Sequence, residues 1–187
     1  MQMKSLLAFV WEVFKITVIA LAIILPIRYF LIQPFFVKGA SMEPNFEDGQ
    51  YLIINEISYR FNDPKRGDVV IFRYPLDESQ FFIKRVIGLP GERIEILNGQ
   101  VRIFNSEHPL GFVLDESDYI PGGIRTSGEI SQSLGLNDFF VLGDNRQSSS
   151  DSRFWGILPR KNILGKVFLR AWPPQTLEVF GELRYSN

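Results

Sequence analysis

From residue 5 to residue 36 the chain is apolar with few interruptions, and from residue 50 onward it breaks into short apolar runs separated by turn residues. The two halves of this pattern ask for different structures. The stretch 16–27 is uncharged, follows Leu6-Leu7-Ala8-Phe9-Val10-Trp11, and leads into the mostly apolar 29–36. Crossing about 30 Å of hydrocarbon takes about 20 helical residues. The uncharged run alone is too short, so a span over 7–27 must take in Glu12 and Lys15 near one interface. Those two stand three apart on one helix face, where they can pair while Lys15 stretches its stem outward. Arg28, just beyond Pro26, marks the opposite interface. A cleavable leader is the rival reading, with 16–27 as its apolar centre, and a buried soluble helix is a third. Against a leader, 14 residues precede Lys15 and no small-x-small site stands out after Ile27. Lys4 and Lys15 before the core and Arg28 and Lys38 after it are too evenly split to orient a span.

Beyond residue 50, the runs 50–55, 68–74, 81–87, 92–97, 138–142 and 165–171 are rich in Ile, Val, Phe and Tyr and predict strands. Gly88-Leu89-Pro90-Gly91 predicts a turn, and Asn98-Gly99 a two-residue type I′ hairpin loop. Pairing outward from that loop sets Ile96 opposite Val101 and Ile94 opposite Ile103 on one face. The other face sets Glu95 against Arg102, an opposite-charge cross-strand pair. The polar, Gly-rich 105–137 has a weak strand signal at 111–114 and predicts loops with one hairpin, and the tail after Pro173-Pro174 carries no pattern. The expected fold is an all-β domain preceded by one N-terminal transmembrane helix. Residues 1–32 would hold the stub, the helix and a juxtamembrane segment, and 33–187 the domain.

Composition narrows the chemistry. With 187 residues, 45% of them hydrophobic and 17 of them Phe, the chain can bury the core of one domain. A net charge of −1, with acids and bases interspersed, offers no basic footprint for nucleic acid. The absence of cysteine removes disulfides, thiolate metal sites and cysteine nucleophiles together. The single histidine, His108, precedes Pro109 in a polar stretch and reads as an exposed loop residue. A Ser-His-Asp triad or an H-E-x-x-H zinc site would need it in a better setting.

Gly39-Ala40-Ser41-Met42-Glu43-Pro44 puts a serine between small residues and a turn-making proline. Such a serine is ordinarily structural, because its hydroxyl is a weak nucleophile until a neighbouring base removes the proton. In the strand 81–87, Lys84 alternates onto the same face as Phe82 and Val86. A lysine there is ordinarily a snorkelling edge residue. Desolvation, however, disfavours the ammonium, and a neutral lysine is a competent base. A Ser41–Lys84 dyad would need no histidine. Its lysine should have a pKa well below the usual value of about 10.4. No carboxylate should stand beside the amine, since an anion would restore its charge.

Four blocks, in order, resemble type I signal peptidases: Ser41-Met42-Glu43-Pro44; Arg66-Gly67-Asp68-Val69-Val70; Lys84-Arg85-Val86-Ile87-Gly88-Leu89-Pro90-Gly91; and Gly143-Asp144-Asn145-Arg146 running to Asp151-Ser152-Arg153. Only 105–137 and the tail lie outside the resemblance. It implies Ser41 as nucleophile, Lys84 as general base and Ser149 as the hydroxyl that hydrogen-bonds the lysine. It further implies that Asp144, Arg146, Asp151 and Arg153 hold their loop against the strand bearing Lys84 and Arg85. Phe35, Val37, Met42 and Phe82 match positions lining the substrate pocket, and the alternation of Phe35 and Val37 onto one face suits that role independently. Gly39 stands where many members carry a serine whose hydroxyl joins the oxyanion hole, which leaves mainly backbone donors, the Ser41 N–H first. Lys38 and Asn45-Phe46 also depart from the commonest flanking pattern.

The implied activity is that of a membrane-bound serine endopeptidase that removes N-terminal signal peptides from exported preproteins, with no metal or cofactor. The implied location is the cytoplasmic membrane of a bacterium, crossed once, with the domain on the outer side among lipid and export machinery, and no nucleic-acid partner. Two alternatives stand beside it. A self-cleaving repressor-type Ser-Lys peptidase would carry a DNA-binding domain where this chain has an apolar segment. A catalytically inactive tethered module for export substrates would have lost Ser41 or Lys84, and both are present.

Overall fold

The computed structural model describes residues 2–30 and 33–181. Its first element is the helix α1 (Gln2–Phe30), mostly apolar but for Lys4, Glu12, Lys15, Arg28 and a few uncharged polar residues, with Leu6, Phe9, Trp11, Ile16, Ile19 and Ile24 all exposed. Lys15 donates to Glu12 Oε1 at 2.7 Å, the pairing expected at that spacing. Among the described residues no helix is long and apolar enough to cross a membrane. The expected span 7–27 includes positions whose side chains lie outside those described, Ala8 and 25–27.

After α1 the described residues form twelve strands, two single-turn α-helices and two 3-10 turns. The strands are β1 (Gln33–Phe36), β2 (Tyr51–Asn55), β3 (Val69–Tyr74), β4 (Asp77–Gly88), β5 (Arg93–Leu97), β6 (Gln100–Phe104), β7 (Phe112–Val113), β8 (Ile130–Ser133), β9 (Asp138–Leu142), β10 (Leu158–Pro159), β11 (Ile163–Trp172) and β12 (Glu178–Val179). The large sheet runs β1-β2-β11-β3-β4-β9-β10, with β12 added to β11, and the small one runs β7-β6-β5-β8. The helices are α2 (Ser58–Phe61) and α3 (Ser152–Trp155), so the domain is mostly β rather than all β. A physical cause for α3 is plain: the Asp151 carboxylate accepts the Arg153 N–H and caps the turn.

Strand β3 shows why its sequence is continuously apolar. Val69 and Ile71 point into a cluster with Leu52, Ile54 and Val167, while Val70 and Phe72 join Val86, Phe139 and Val141. Both faces are covered, so the alternation of a half-buried strand is missing. A third cluster packs Ile94, Ile96, Val101 and Ile103 of the small sheet against Ile87, Phe140 and Leu142 of the large one. This leaves β4 shared by all three cores, a stiff place to mount a reactive side chain.

The hairpin β5–β6 has the register expected from Asn98-Gly99, with Ile94 opposite Ile103, Glu95 opposite Arg102 and Ile96 opposite Val101. Both turn residues adopt positive φ, 53° at Asn98 and 83° at Gly99, as a type I′ loop requires. The ion pair of Glu95 is made along its own strand, with Arg93 at 3.1 Å, and not with Arg102 as the cross-strand pattern suggested. Residues 105–137 supply no hairpin of their own: β7 adds to β6 and β8 to β5, on opposite edges of one sheet. Up to residue 181 the tail is structured, since β12 pairs with β11 and the Phe180 ring lies 4.9 Å from that of Phe46. His108 is half-buried rather than exposed, its ring edge-on to Phe112 at 4.9 Å.

Candidate active site

The loop that carries Ser41 is closed at its base, where Val37 N–H donates to Gln50 O at 2.8 Å and Gly49 N–H to Val37 O at 3.0 Å. Gly39 turns the chain there with φ +84°, a conformation that L side chains rarely adopt, and its N–H donates to Asp48 Oδ1 at 2.7 Å. Met42 and Phe46 drop from the loop into the core between β1, β2, β3 and β11 and fix its height above the sheet. From the other side the loop after β9 grips it. Asn145 N–H donates to Ser41 O at 3.1 Å, and Asn145 Nδ2 to Ala40 O at 3.0 Å. Gly143 permits this approach: a Cβ there would lie 2.4 Å from Ser41 O and 2.1 Å from Ser149 Oγ.

Lys84 sits on β4 opposite Val70 of β3, with only 3% of its surface exposed. Its Nζ donates to Ser41 Oγ at 2.7 Å and to Ile83 O at 2.8 Å, and stands 5.4 Å from the centre of the Phe82 ring. Burial pulls the Lys84 pKa down to about 8, against the opposing fields of Asp151 and Asp144. Among the described residues the amine's hydrogen bonds go to Ser41 and Ile83 and it joins no ion pair, but carboxylates do act on it from further away. Two are close enough to be felt, and each is occupied by an arginine that offsets its charge. Asp144 accepts from Arg85 Nε at 2.8 Å, Arg85 Nη2 at 2.6 Å and Asn45 Nδ2 at 2.9 Å. Asp151 accepts from Arg153 Nε and Nη2, both at 2.8 Å, and from the Gly143 N–H at 3.0 Å.

The Asp144–Arg85 pair ties the loop to the strand bearing Lys84, and Arg85 also donates to Gly67 O at 2.9 Å. Arg146 reaches elsewhere. It donates to Glu116 at 2.8 and 2.6 Å, to Thr126 Oγ1 at 2.5 Å and to Gly143 O at 3.0 Å. Arg153 Nη1 donates to Arg146 O at 2.8 Å and to Ser127 Oγ at 2.9 Å. The stretch 105–137, which carried no motif, is thus the outer support of the loop. Glu116, Thr126 and the carbonyl grip of Asn145 escaped the sequence reading. A buried arginine implies an acidic partner, but nothing in the sequence points to one 30 positions away.

Ser149 does not make the expected bond to Lys84. Its hydroxyl is buried against Gly143 and has no hydrogen-bond partner, while both bonds made by the amine go to Ser41 and Ile83. Beside the dyad lies a cavity of about 620 Å³ whose wall includes Phe35, Val37, Ile71, Phe82 and Ile83, with Ser41 and Lys84 at one side. Met42 is fully buried and is not part of that wall; it packs beneath, next to Val37 and Phe46. Among the described residues no three His, Asp or Glu side chains are grouped to hold a metal ion.

Residues 10–172 match the family described as signal peptidase, peptidase S26. A signal peptidase I of Leptolyngbya laminosa is 36% identical, over 87% of this chain and 80% of its own length. A probable signal peptidase I-1 of a Synechocystis strain is 35% identical, over 88% of this chain and 84% of its own. A solved signal peptidase I from Enterococcus faecalis is 26% identical and superposes with a TM-score of 0.46, covering 56% of this chain and 97% of that one.

Proposed function

Because this chain belongs to the signal peptidase family, peptidase S26, and is a serine endopeptidase that cleaves signal peptides from preproteins, we propose that Ser41 is its nucleophile and Lys84 its general base. One observation carries the assignment: Lys84 Nζ lies 2.7 Å from Ser41 Oγ at the wall of an apolar cavity. With its pKa drawn down to about 8, about one amine in ten is neutral at pH 7, against less than about one in a thousand for lysine in water.

The neutral amine takes the proton of Ser41 while one of its own hydrogens stays on Ile83 O, which fixes the direction of the lone pair. Ser41 Oγ then bonds to the carbonyl carbon of the last residue of the signal. The peptide C–N bond breaks as Lys84 returns the proton to the departing amine, leaving an ester on Ser41. Water, deprotonated by Lys84, adds to the ester carbonyl. The bond from that carbon to Ser41 Oγ then breaks as Lys84 returns the proton to the serine, which releases the signal peptide as its carboxylic acid and restores the enzyme. Gly39 offers no hydroxyl to the oxyanion, so backbone N–H groups, that of Ser41 first, stabilise it. Arg85, Asp144, Arg146, Asp151 and Arg153 hold the loop and the strand in register. An extended substrate sends its first and third residues before the cut toward the wall of Phe35, Val37, Phe82 and Ile83, which suits small side chains.

Activity should follow the free amine. We expect kcat/KM on a soluble signal-sequence peptide to rise from pH 6 to a plateau above an apparent pKa near 8, because it reports the base in the free enzyme. A peptide with leucine in place of alanine at the first position, assayed alongside, should be at least about tenfold slower. A profile flat from pH 6 to 10 would show that another group is the base.

The anchor reading rests on α1. A helix that is mostly apolar and leaves its large side chains exposed suits a lipid environment. On this reading 1–32 cross the cytoplasmic membrane of a bacterium once and 33–187 work on its outer face, beside lipid and the export machinery. The full chain should stay with membranes through an alkaline wash, whereas a chain lacking residues 1–30 should be released and still cleave a soluble peptide. Irreversible aggregation of the shortened chain, even with detergent present, would mean that α1 packs into the domain.

A further inference from the structure

We infer that Lys38 makes this enzyme favour precursors with an acidic side chain at the second position before the cut, an inference that rests on the dyad and cavity assigned above. The cavity wall contains no carboxylate, and its two charged side chains are Lys38 and Lys84. Lys84 is buried and turned to Ser41. Lys38 is exposed at the mouth, three residues before the nucleophile, and joins none of the ion pairs found among the described residues. Two acids that bond to residues beside Lys38 or to the rim itself make those bonds in preference to an ion pair. Asp48 accepts the Gly39 N–H at 2.7 Å. Asp77 accepts from Ser79 Oγ at 2.6 Å and from the amide of Gln80, the rim's other long polar side chain, at 2.7 Å.

Direction decides which precursor residue Lys38 meets. Val37 is buried in the wall while the next side chain along, Lys38, is exposed at its rim, an alternation of buried and exposed positions that leaves the Lys38 charge on the solvent side of the cavity. An extended precursor obeys the same alternation. When its first and third residues before the cut face the apolar wall, its second faces the open side, where Lys38 carries a full charge. A carboxylate there gains an ion pair, and an ammonium meets repulsion. Both effects are modest because the site is wet.

The test uses the full chain in detergent and three peptides that differ only at that second position, carrying Asp, Ala or Lys. The ratio of kcat/KM for the Asp peptide over the Lys peptide should be about tenfold in the unaltered enzyme at low salt, equivalent to about 1.4 kcal/mol. It should shrink as salt is raised, since exposed charges are screened. It should fall to about one in Lys38→Ala and below one in Lys38→Glu. A ratio is read within each protein, so a change in overall rate does not disturb it. Equal cleavage of all three peptides by the unaltered enzyme, or the same ratio in Lys38→Glu, would overturn the inference and leave the dyad untouched. Failure of the unaltered enzyme to cleave any of the three would overturn the dyad and cavity reading, and this inference with it.

Discussion

Ser41→Ala and Lys84→Met should each leave less than about one part in a thousand of the peptidase activity, because members of one catalytic unit fail together. Lys84→Arg should be as inactive, since a guanidinium stays charged and cannot accept the serine proton. The two losses should differ in their effect on stability. The Lys84 amine is drawn down to about 8 from an ordinary 10.5 by burial, so folding opposes its protonation. The penalty is full below about 8, where Lys84 is charged in both the folded and the unfolded chain, and it is relieved as pH rises from 8 to 10.5. At neutral pH it is on the order of a few kcal/mol. Methionine fills much the same volume without charge, so Lys84→Met should be inactive yet melt higher than the unaltered protein at pH 7. That advantage should fade above pH 10. Thermal melts of the purified variants across pH, beside cleavage assays free of host enzyme, check both halves. A Lys84→Met protein that is active would remove Lys84 from the role of base, and one that melts lower than the unaltered protein at pH 7 would show that the buried charge does not oppose folding.

Arg146→Ala should lower the melting temperature by about 10 °C and cut activity along with it. Arg146 is 1% exposed and holds Glu116 through two bonds, Thr126 through a third and Gly143 O through a fourth. Truncation leaves a carboxylate in poor solvent with no counter-charge, a loss of about 3–5 kcal/mol for a buried pair. It also frees the loop whose Asn145 and Gly143 fit against the carbonyl of Ser41. Replacing both partners, as in Arg146→Met with Glu116→Leu, should recover much of the stability, since no charge is left unpaired. If the double variant melts as low as the single one, the contribution of Arg146 lies in its packing and not in the pair.

The Asn-Gly loop declared itself within a few positions, whereas Ser41 and Lys84 each read singly as structural, and the order of four motif blocks along the chain proposed them as a pair. Strand periodicity carried most of the large sheet because it too is local; it gave only a weak signal at 111–114 for the two-residue β7, and it failed at the short β8, β10 and β12. So short a run holds too few alternations to be distinguished from a loop, and its pairing comes from an edge that is already present. The expected Glu95–Arg102 bond failed differently: the register was right, but Arg93, nearer along the same strand, took the carboxylate.

What only the tertiary structure decided is everything that depends on distance through space. It put Glu116 and Thr126, in a stretch without pattern, beneath Arg146. It brought Asp144 and Asp151 near enough to oppose the depressed pKa of Lys84 while giving each an arginine. It left Ser149 without the partner that its position suggested, and it moved Met42 from the pocket wall to the core beneath. A sequence specifies which groups can ionise, bond or pack. The free energy of each choice depends on the solvent and neighbours that remain after the chain has closed, and for Lys84 those neighbours come from β3, the Ser41 loop and the loop after β9, drawn together only by the shared cores around β4.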